Sequence, residues 1–378
     1  MGGWRWVEWN WRGLLAAVLV SAPALAQEER APEEQPAAPE AAAVEPAAPV
    51  ASTEAPAKKK KKRKAKTEPL GESPEAADDA ADEGEERRAL RIFGRVFARA
   101  SADEREDYAR SLSVPSARVG VSTSFEYIEA EVSADLSSKT ILKDAFVRIA
   151  DREKRLRLYA GQFKAPFLAR ELESTWDLPL MRRGLVTDYL TDTHQLGGRR
   201  LGLMGEVRLK EAWNLKISGG LFQGAEDEFG DHTSEDAAAR VTVRPFKAIT
   251  VGASSYLAEV TKGTRQHAVA AEATLHLGAL ALSGEAVSGR LAVGPFTAQL
   301  GLASYTLALA KDWALQPLAG AEALQLRGDM AGHGWAAVGG FNILFSESFK
   351  AQLQAERALR PGDESPGTEY SLQLATRF

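Results

Sequence analysis

After Arg88 the polarity of the chain alternates residue by residue, a period of two that in a strand sends successive side chains to opposite faces. The C-terminal TEYSLQLATRF has the pattern in full: Tyr370, Leu372, Leu374, Thr376 and Phe378 share one face, and Ser371, Gln373, Ala375 and Arg377 the other. Ile92, Gly94, Val96 and Ala98 likewise oppose Arg91, Arg95 and Arg99, while Ile128, Ala130, Val132 and Ala134 oppose Glu129, Glu131 and Asp135. Phe349, Ala351, Leu353 and Ala355 stand against Lys350, Gln352, Gln354 and Glu356. Charge on one face of nearly every strand does not suit the dry core of a sandwich. It suits an antiparallel transmembrane β-barrel whose outside meets lipid and whose lumen is wet, an all-β fold.

The alternation predicts about sixteen strands, at 89–99, 116–124, 126–135, 141–150, 155–163, 196–208, 213–222, 235–244, 248–257, 266–276, 278–288, 295–309, 313–326, 333–344, 347–357 and 368–378. Short and long connections then alternate, as periplasmic turns and external loops do. The brief ones include Asp151 to Lys154 and Ala310 to Asp312; the longer ones are Ser101 to Pro115, Lys164 to Gln195, Gln223 to Ser234 and Ala358 to Gly367. Tyr127, Trp213, Tyr256, Trp313, Trp335, Phe345 and Phe378 fall near strand ends, where aromatic girdles belong. Between Leu277 and Leu326 both faces are apolar, and the alternation leaves the register open by one residue.

The first 88 residues follow other rules. Arg5 and Arg12, the apolar Leu14 to Val20 and the Ala24-Leu25-Ala26 sequence predict a secretory leader cleaved after Ala26. Residues 27–88 are alanine, proline and charge, too poor in apolar surface to offset chain entropy, and are expected to form a disordered periplasmic tail. The tail carries 16 acidic and 11 basic residues, so it accounts for the formal charge of −5. Its basic run, Lys58 to Lys66, suits an anionic envelope polymer or lipid headgroups after export, or a solvated linker.

Composition closes several other routes. No cysteine among 378 residues removes disulfide scaffolds and thiolate chemistry. Outside the leader no apolar run approaches the roughly 18 residues of a membrane helix. Five histidines, His194, His232, His267, His276 and His333, carry no metal or catalytic signature. Only His267 with Ser254 or Ser255 is placed to meet near a rim, so neither cofactor nor enzymatic activity is expected.

The stretch from Leu142 to Leu185 resembles the phosphate-selective porin family of the porin O and P type. Lys143-Asp144-Ala145-Phe146-Val147, Gly161 to Phe167, Glu171-Leu172-Glu173-Ser174 and Arg182-Arg183 occupy the places of that family's motifs. The resemblance implies a bacterial outer-membrane channel for passive diffusion of small hydrophilic solutes, with the long third loop folded inward and a homotrimeric assembly. The alternating terminal strand ending in Phe378 resembles the C-terminal signal of proteins assembled into the bacterial outer membrane, and is expected to address the barrel-assembly machinery. Arginines along one wall and lysines at the constriction would supply a weak anion preference. The candidates are Lys164, Arg170, Arg182 and Arg183 in the loop and Arg91, Arg95, Arg99, Arg148, Arg157 and Arg200 on the wall. Lumenal carboxylates such as Glu129, Glu131, Asp135, Asp144, Glu285, Glu322 and Glu356 oppose them, so strict phosphate selectivity is not expected. Gly161, Pro166 and Pro179 are read as turn formers. A second reading is a structural envelope protein with a plugged barrel and a wall-gripping basic tail.

Overall fold

The computed structural model describes residues 89–224, 235–261, 264–328 and 332–378. The expected leader and tail, His232 and most of the Gln223 to Ser234 loop lie outside the described residues. Sixteen antiparallel strands close one barrel. They are β1 (Ala89–Asp103), β2 (Ala109–Phe125), β3 (Ile128–Asp135), β4 (Leu142–Ala150), β5 (Leu156–Lys164), β6 (Arg199–Leu209), β7 (Leu215–Gln223) and β8 (Glu235–Phe246). There follow β9 (Ile249–Thr261), β10 (Thr264–Leu277), β11 (Leu280–Leu291), β12 (Gly294–Tyr305, continued by Leu307–Ala310), β13 (Trp313–Leu326), β14 (Gly332–Phe345), β15 (Phe349–Leu359) and β16 (Gly367–Arg377). Both segments of β12 pair with β13, so they are one strand interrupted at Thr306.

Closure is made by β1 against β16, with Arg95 opposite Arg377. Gly94 and Phe378 exchange two backbone hydrogen bonds of 3.0 Å, and the Phe378 ring lies over Gly94, where any side chain would collide with it. No sheet edge is left at this seam, which in lipid would carry a severe penalty for unpaired backbone.

Outward positions are apolar and exposed on the isolated barrel, as lipid-facing residues must be: Ile92, Val121, Val132, Leu158, Leu203, Val269, Leu353 and Leu374 all follow the alternation. Trp313, at the start of β13, and Phe345, at the end of β14, lie with tilted rings 4.5 Å apart, within the expected girdle. Tyr256 does not belong to it. It sits on the inner face of β9, 1% exposed, donating its hydroxyl to Asp236 at 2.7 Å.

Two other expectations are corrected. Ser101 to Pro115 is not a loop, because ladder pairing continues to Asp103 opposite Ala109 and only a 3-10 turn, Glu104–Glu106, caps the hairpin. Polar residues on both faces hid these strands; above the lipid level neither face has to be apolar. Gly161 is not in a turn but within β5, opposite Phe146, with φ of 127° and the Ala145 carbonyl where a Cβ would sit. Prolines also enter the ladder, Pro115 and Pro245 lying at the register breaks of β2 and β8, where a missing N–H costs nothing.

Between Leu277 and Leu326 the inner positions are Glu285, Val287, Leu291, Phe296, Ala298, Leu300, Glu322, Leu324 and Leu326, all buried. Both faces read as apolar because this inner face is not wet. Another part of the chain covers it.

Candidate functional site

That part is the connection between β5 and β6, residues 165–198, which folds into the lumen. It carries two short α-helices, α1 (Ala169–Leu172) and α2 (Leu185–Asp188), the second running on into a π-helical turn, Tyr189–Thr193. Phe167, Leu168, Val186, Leu190 and Leu196 are fully buried and join one cluster with Ala258, Ala270, Val287, Phe296, Ala298, Leu300 and Leu324 of the wall. Each such side chain is worth about 1.5–3 kcal/mol relative to exposure. The sequence of β9 to β13 thereby decides which wall the loop lies on.

Buried polar contacts set its position on that wall. Arg170 pairs with Glu322 at 2.5 Å, and the other carboxylate oxygen of Glu322 accepts the Val186 N–H at 2.9 Å, so one wall residue ties both arms of the loop. Gly184, with φ of 97°, lies so close to this carboxylate that no Cβ could be accommodated. Glu285 accepts the N–H groups of Ala169 and Arg170 at 3.0 and 3.4 Å. Pro179 is more than a turn former: its carbonyl accepts side-chain N–H groups from Asn342, Gln352 and Gln354 at 2.9–3.0 Å. Lys350 donates to the carbonyls of Trp176 and Leu178 at 2.6 and 3.2 Å. Lys164 donates to the carbonyls of Glu171, Leu172 and Glu173, and Arg183 pairs with Glu171 at 2.8 Å.

A cavity of about 290 Å³ remains between the loop and the opposite wall. Arg95, Arg99, Arg118, Lys143 and Arg199 line it from the barrel and Arg182 and Arg183 from the loop; only Asp135 and Asp188 line it with carboxylates. Arg95 and Arg118 face each other across β1 and β2. Asp144, just behind, pairs with both Arg118 and Arg199, the latter at 2.9 Å. Among the described residues Arg95 and Arg99 have no carboxylate partner. Arg95 reaches the hydroxyls of Ser174 and Thr175 at 3.5 and 3.2 Å, and Arg99 the Gln373 carboxamide oxygen and the Met181 carbonyl, both at 2.8 Å. Among the described residues the Nε atoms of Arg95 and Arg118 are buried without a partner.

The loop's acids respond to this dry setting. Burial, reinforced by Asp192 and Glu322, pushes the Asp188 carboxyl up to about 7. Burial and neighbouring Asp177 push Glu173 to about 7 as well. Near neutral pH Asp188, which lines the cavity, is therefore only partly ionised.

The predicted site residues are not brought together as one group. Arg95, Arg99, Arg182 and Arg183 line the cavity; Lys164 and Arg170 are buried props of the loop. Arg148 pairs with Glu129 and Arg157 with Glu206, while Arg200 turns back to Gln195 at the end of the loop. Arg91 is exposed at the start of β1. Sequence reasoning left Arg118, Lys143 and Arg199 out of the site. Arg118 was legible from its inward parity, whereas Lys143 lies at the β3–β4 register break and Arg199 where β6 begins, positions at which parity is no guide. Ser254 faces inward, its hydroxyl accepting the Leu168 N–H at 3.4 Å, and His267 is exposed on the outer side, so these two do not form a dyad.

A closed sixteen-stranded antiparallel barrel, narrowed from within by a loop after its fifth strand, defines the outer-membrane porin fold. Solved porins share it at low identity. An anion-selective porin from Comamonas acidovorans superposes with a TM-score of 0.56 at 9% identity, over 77% of this chain and 100% of that one. OmpF of Salmonella typhi, in complex with daunomycin, gives 0.56 at 10%, over 77% and 98%. OmpT of Vibrio cholerae, in a trimer form, gives 0.54 at 10%, over 77% and 99%. No family model matches the sequence, and no curated protein matches it.

Proposed function

We propose that this protein is an outer-membrane porin through which small hydrophilic solutes diffuse passively, with a preference for anions. The observation that carries the reading is the cavity beside the loop, where seven cationic side chains face two carboxylates. A passing anion finds there guanidinium donors not already committed to carboxylates, in a confined space where fields are screened less than in bulk water. A cation meets the same field as a barrier. Asp144 and the two lining aspartates dilute the site, which favours weak preference among anions, phosphate included, over tight capture of phosphate.

Export with cleavage after Ala26, a periplasmic tail whose Lys58 to Lys66 run meets anionic polymer, recognition of the Phe378 strand by the assembly machinery and a homotrimeric state complete the proposal. The trimeric part draws on the Vibrio cholerae protein of the same fold. The decisive experiment is the zero-current potential of the refolded protein in a planar bilayer under a potassium chloride gradient, repeated with phosphate. A potential on the chloride side with partial phosphate block is expected. A potential at zero or on the potassium side would reject anion preference and leave a general pore; no conductance at all would favour the plugged structural barrel.

A further inference from the structure

The cations around the cavity beside the loop form two groups along β1. The charges acting on Arg95 are those of Arg118, Arg199 and Arg183, with Asp135 as the nearby acid; Arg99 instead has Arg182 as its cationic neighbour, with Glu369, Glu356 and Asp188. Arg95 and Arg99 are four residues apart on one face of β1, about 13 Å at ~3.3 Å per residue. The loop keeps their heads apart too, since Arg95 is anchored at Ser174 and Thr175 and Arg99 at the Met181 carbonyl.

Each group leaves one guanidinium uncommitted to a carboxylate. In the first, Asp144 takes Arg118 and Arg199, Glu171 takes Arg183, and Arg95 meets only hydroxyls. In the second, Glu369 takes Arg182 at 2.7 Å, and Arg99 meets only a carboxamide and a carbonyl. Between the two the lining is apolar: Phe97 separates them on β1, and Pro115 and Met181 join it around the cavity. Asp135, bonded to Ser116 opposite Phe97, is already engaged by the Ser116 and Ser137 hydroxyls at 2.7 Å and the Ala117 N–H at 2.9 Å.

We propose that this cavity binds α,ω-dicarboxylates, one carboxylate on Arg95 and the other on Arg99 with the methylene chain along Phe97, and that the pore favours them over other small anions. A planar carboxylate suits a single guanidinium fork, which is what each end offers, whereas a phosphoryl group calls for several converging donors. Once one carboxylate is bound, the other is held at high effective concentration beside its own arginine. Length sets the fit. The carboxyl carbons of extended adipate are roughly 6 Å apart with C–C bonds of about 1.5 Å. A C–O bond and a hydrogen bond of about 2.8 Å at each end carry its reach to about 14 Å. Malonate, of equal charge, falls about 4 Å short. The preference in transport rests on the porin reading; the binding does not, and the two are measured separately.

Block of the chloride current by adipate, malonate and monomethyl adipate tests this in the refolded full-length protein, in 0.1 M potassium chloride at pH 7.5, where free carboxyls are ionised. Adipate should halve the current at about one-tenth the concentration required of malonate, which matches its charge, or of monomethyl adipate, which matches its length. Arg95→Gln and Arg99→Gln should each remove that advantage. Malonate as potent as adipate would mean that charge alone is read and overturns the proposal, as would an undiminished adipate advantage in both variants. A potential on the chloride side with no adipate advantage sinks the two-ended site and leaves the anion porin standing. If the barrel passes no current, calorimetry on the detergent-solubilised protein decides: adipate bound more tightly than malonate upholds the site and refutes the pore, and equal binding refutes both.

Discussion

The two sides of the lumen are built from opposite materials. From β9 to β13 the inward positions that meet the loop include Ala258, Ala270, Val287, Phe296, Leu300 and Leu324, with Glu285 and Glu322 set among them to bind it. On β1, β2 and β4, and where β6 begins, they include Arg95, Arg99, Arg118, Lys143 and Arg199 around open space. The apolar side is occupied because a loop with its own apolar face gains by covering it; the charged side stays open because nothing apolar is there to cover. The open, cation-lined space then follows from where the loop does not lie.

The contrast breaks most severely if the docking is removed. Leu168→Asp with Val186→Asp buries two carboxylates in the apolar cluster at a cost of several kcal/mol. The loop should leave the wall, raising single-channel conductance several-fold and exposing the loop to protease. Unchanged conductance would show that the loop is held by its polar ties alone. Next in size, Arg95→Glu with Arg99→Glu and Arg118→Glu turns the cavity lining from seven cations and two acids to four cations and five acids, and the zero-current potential should cross to the potassium side. A reversal potential that does not move would locate the selective field elsewhere.

Arg170→Ala should have an intermediate effect. It strands the Glu322 carboxylate, a loss of about 3–5 kcal/mol for one partner of a buried pair. Thermal unfolding of the detergent-solubilised barrel should begin at lower temperature, with noisier open-channel current. Arg170→Ala with Glu322→Gln should recover part of the loss, since no buried charge is then left alone.

The smallest effect is that of pH. Asp188 and Glu173, both with carboxyls held near 7, are largely neutral below that value and charged above it. Anion preference should decline modestly as pH rises from 6 to 8, and Asp188→Asn should reduce that decline because Asp188 faces the cavity. A preference that strengthens with rising pH would contradict the sign of these shifts.

Alternation along the chain was enough to place sixteen strands within a few residues, because lipid outside and water inside impose opposite demands on successive side chains. It failed where one demand was missing. Ser101 to Pro115 stands above the lipid, so strands there lack an apolar face; Leu277 to Leu326 is covered by the loop, so its inner face lacks polarity. Tyr256 was misplaced for a related reason, since an aromatic near a strand end belongs to the girdle only if its parity points outward.

The site was legible by type and not by membership. Inward parity and the column Arg91, Arg95, Arg99 are properties of the sequence, yet Arg91 is exposed near the mouth while Arg95 and Arg99 line the cavity. Lys164 and Arg170 read as constriction charges, but tertiary structure spends them on loop carbonyls and on Glu322. Arg199 enters the site through Asp144, 55 positions away in sequence. Barrel, strand order and the sign of the inner face were determined by local pattern, since each depends on residues one or two positions apart. Which cations stay available to a solute was decided only when the loop folded inward, because that depends on which carboxylates and carbonyls the closed barrel brings within hydrogen-bonding distance.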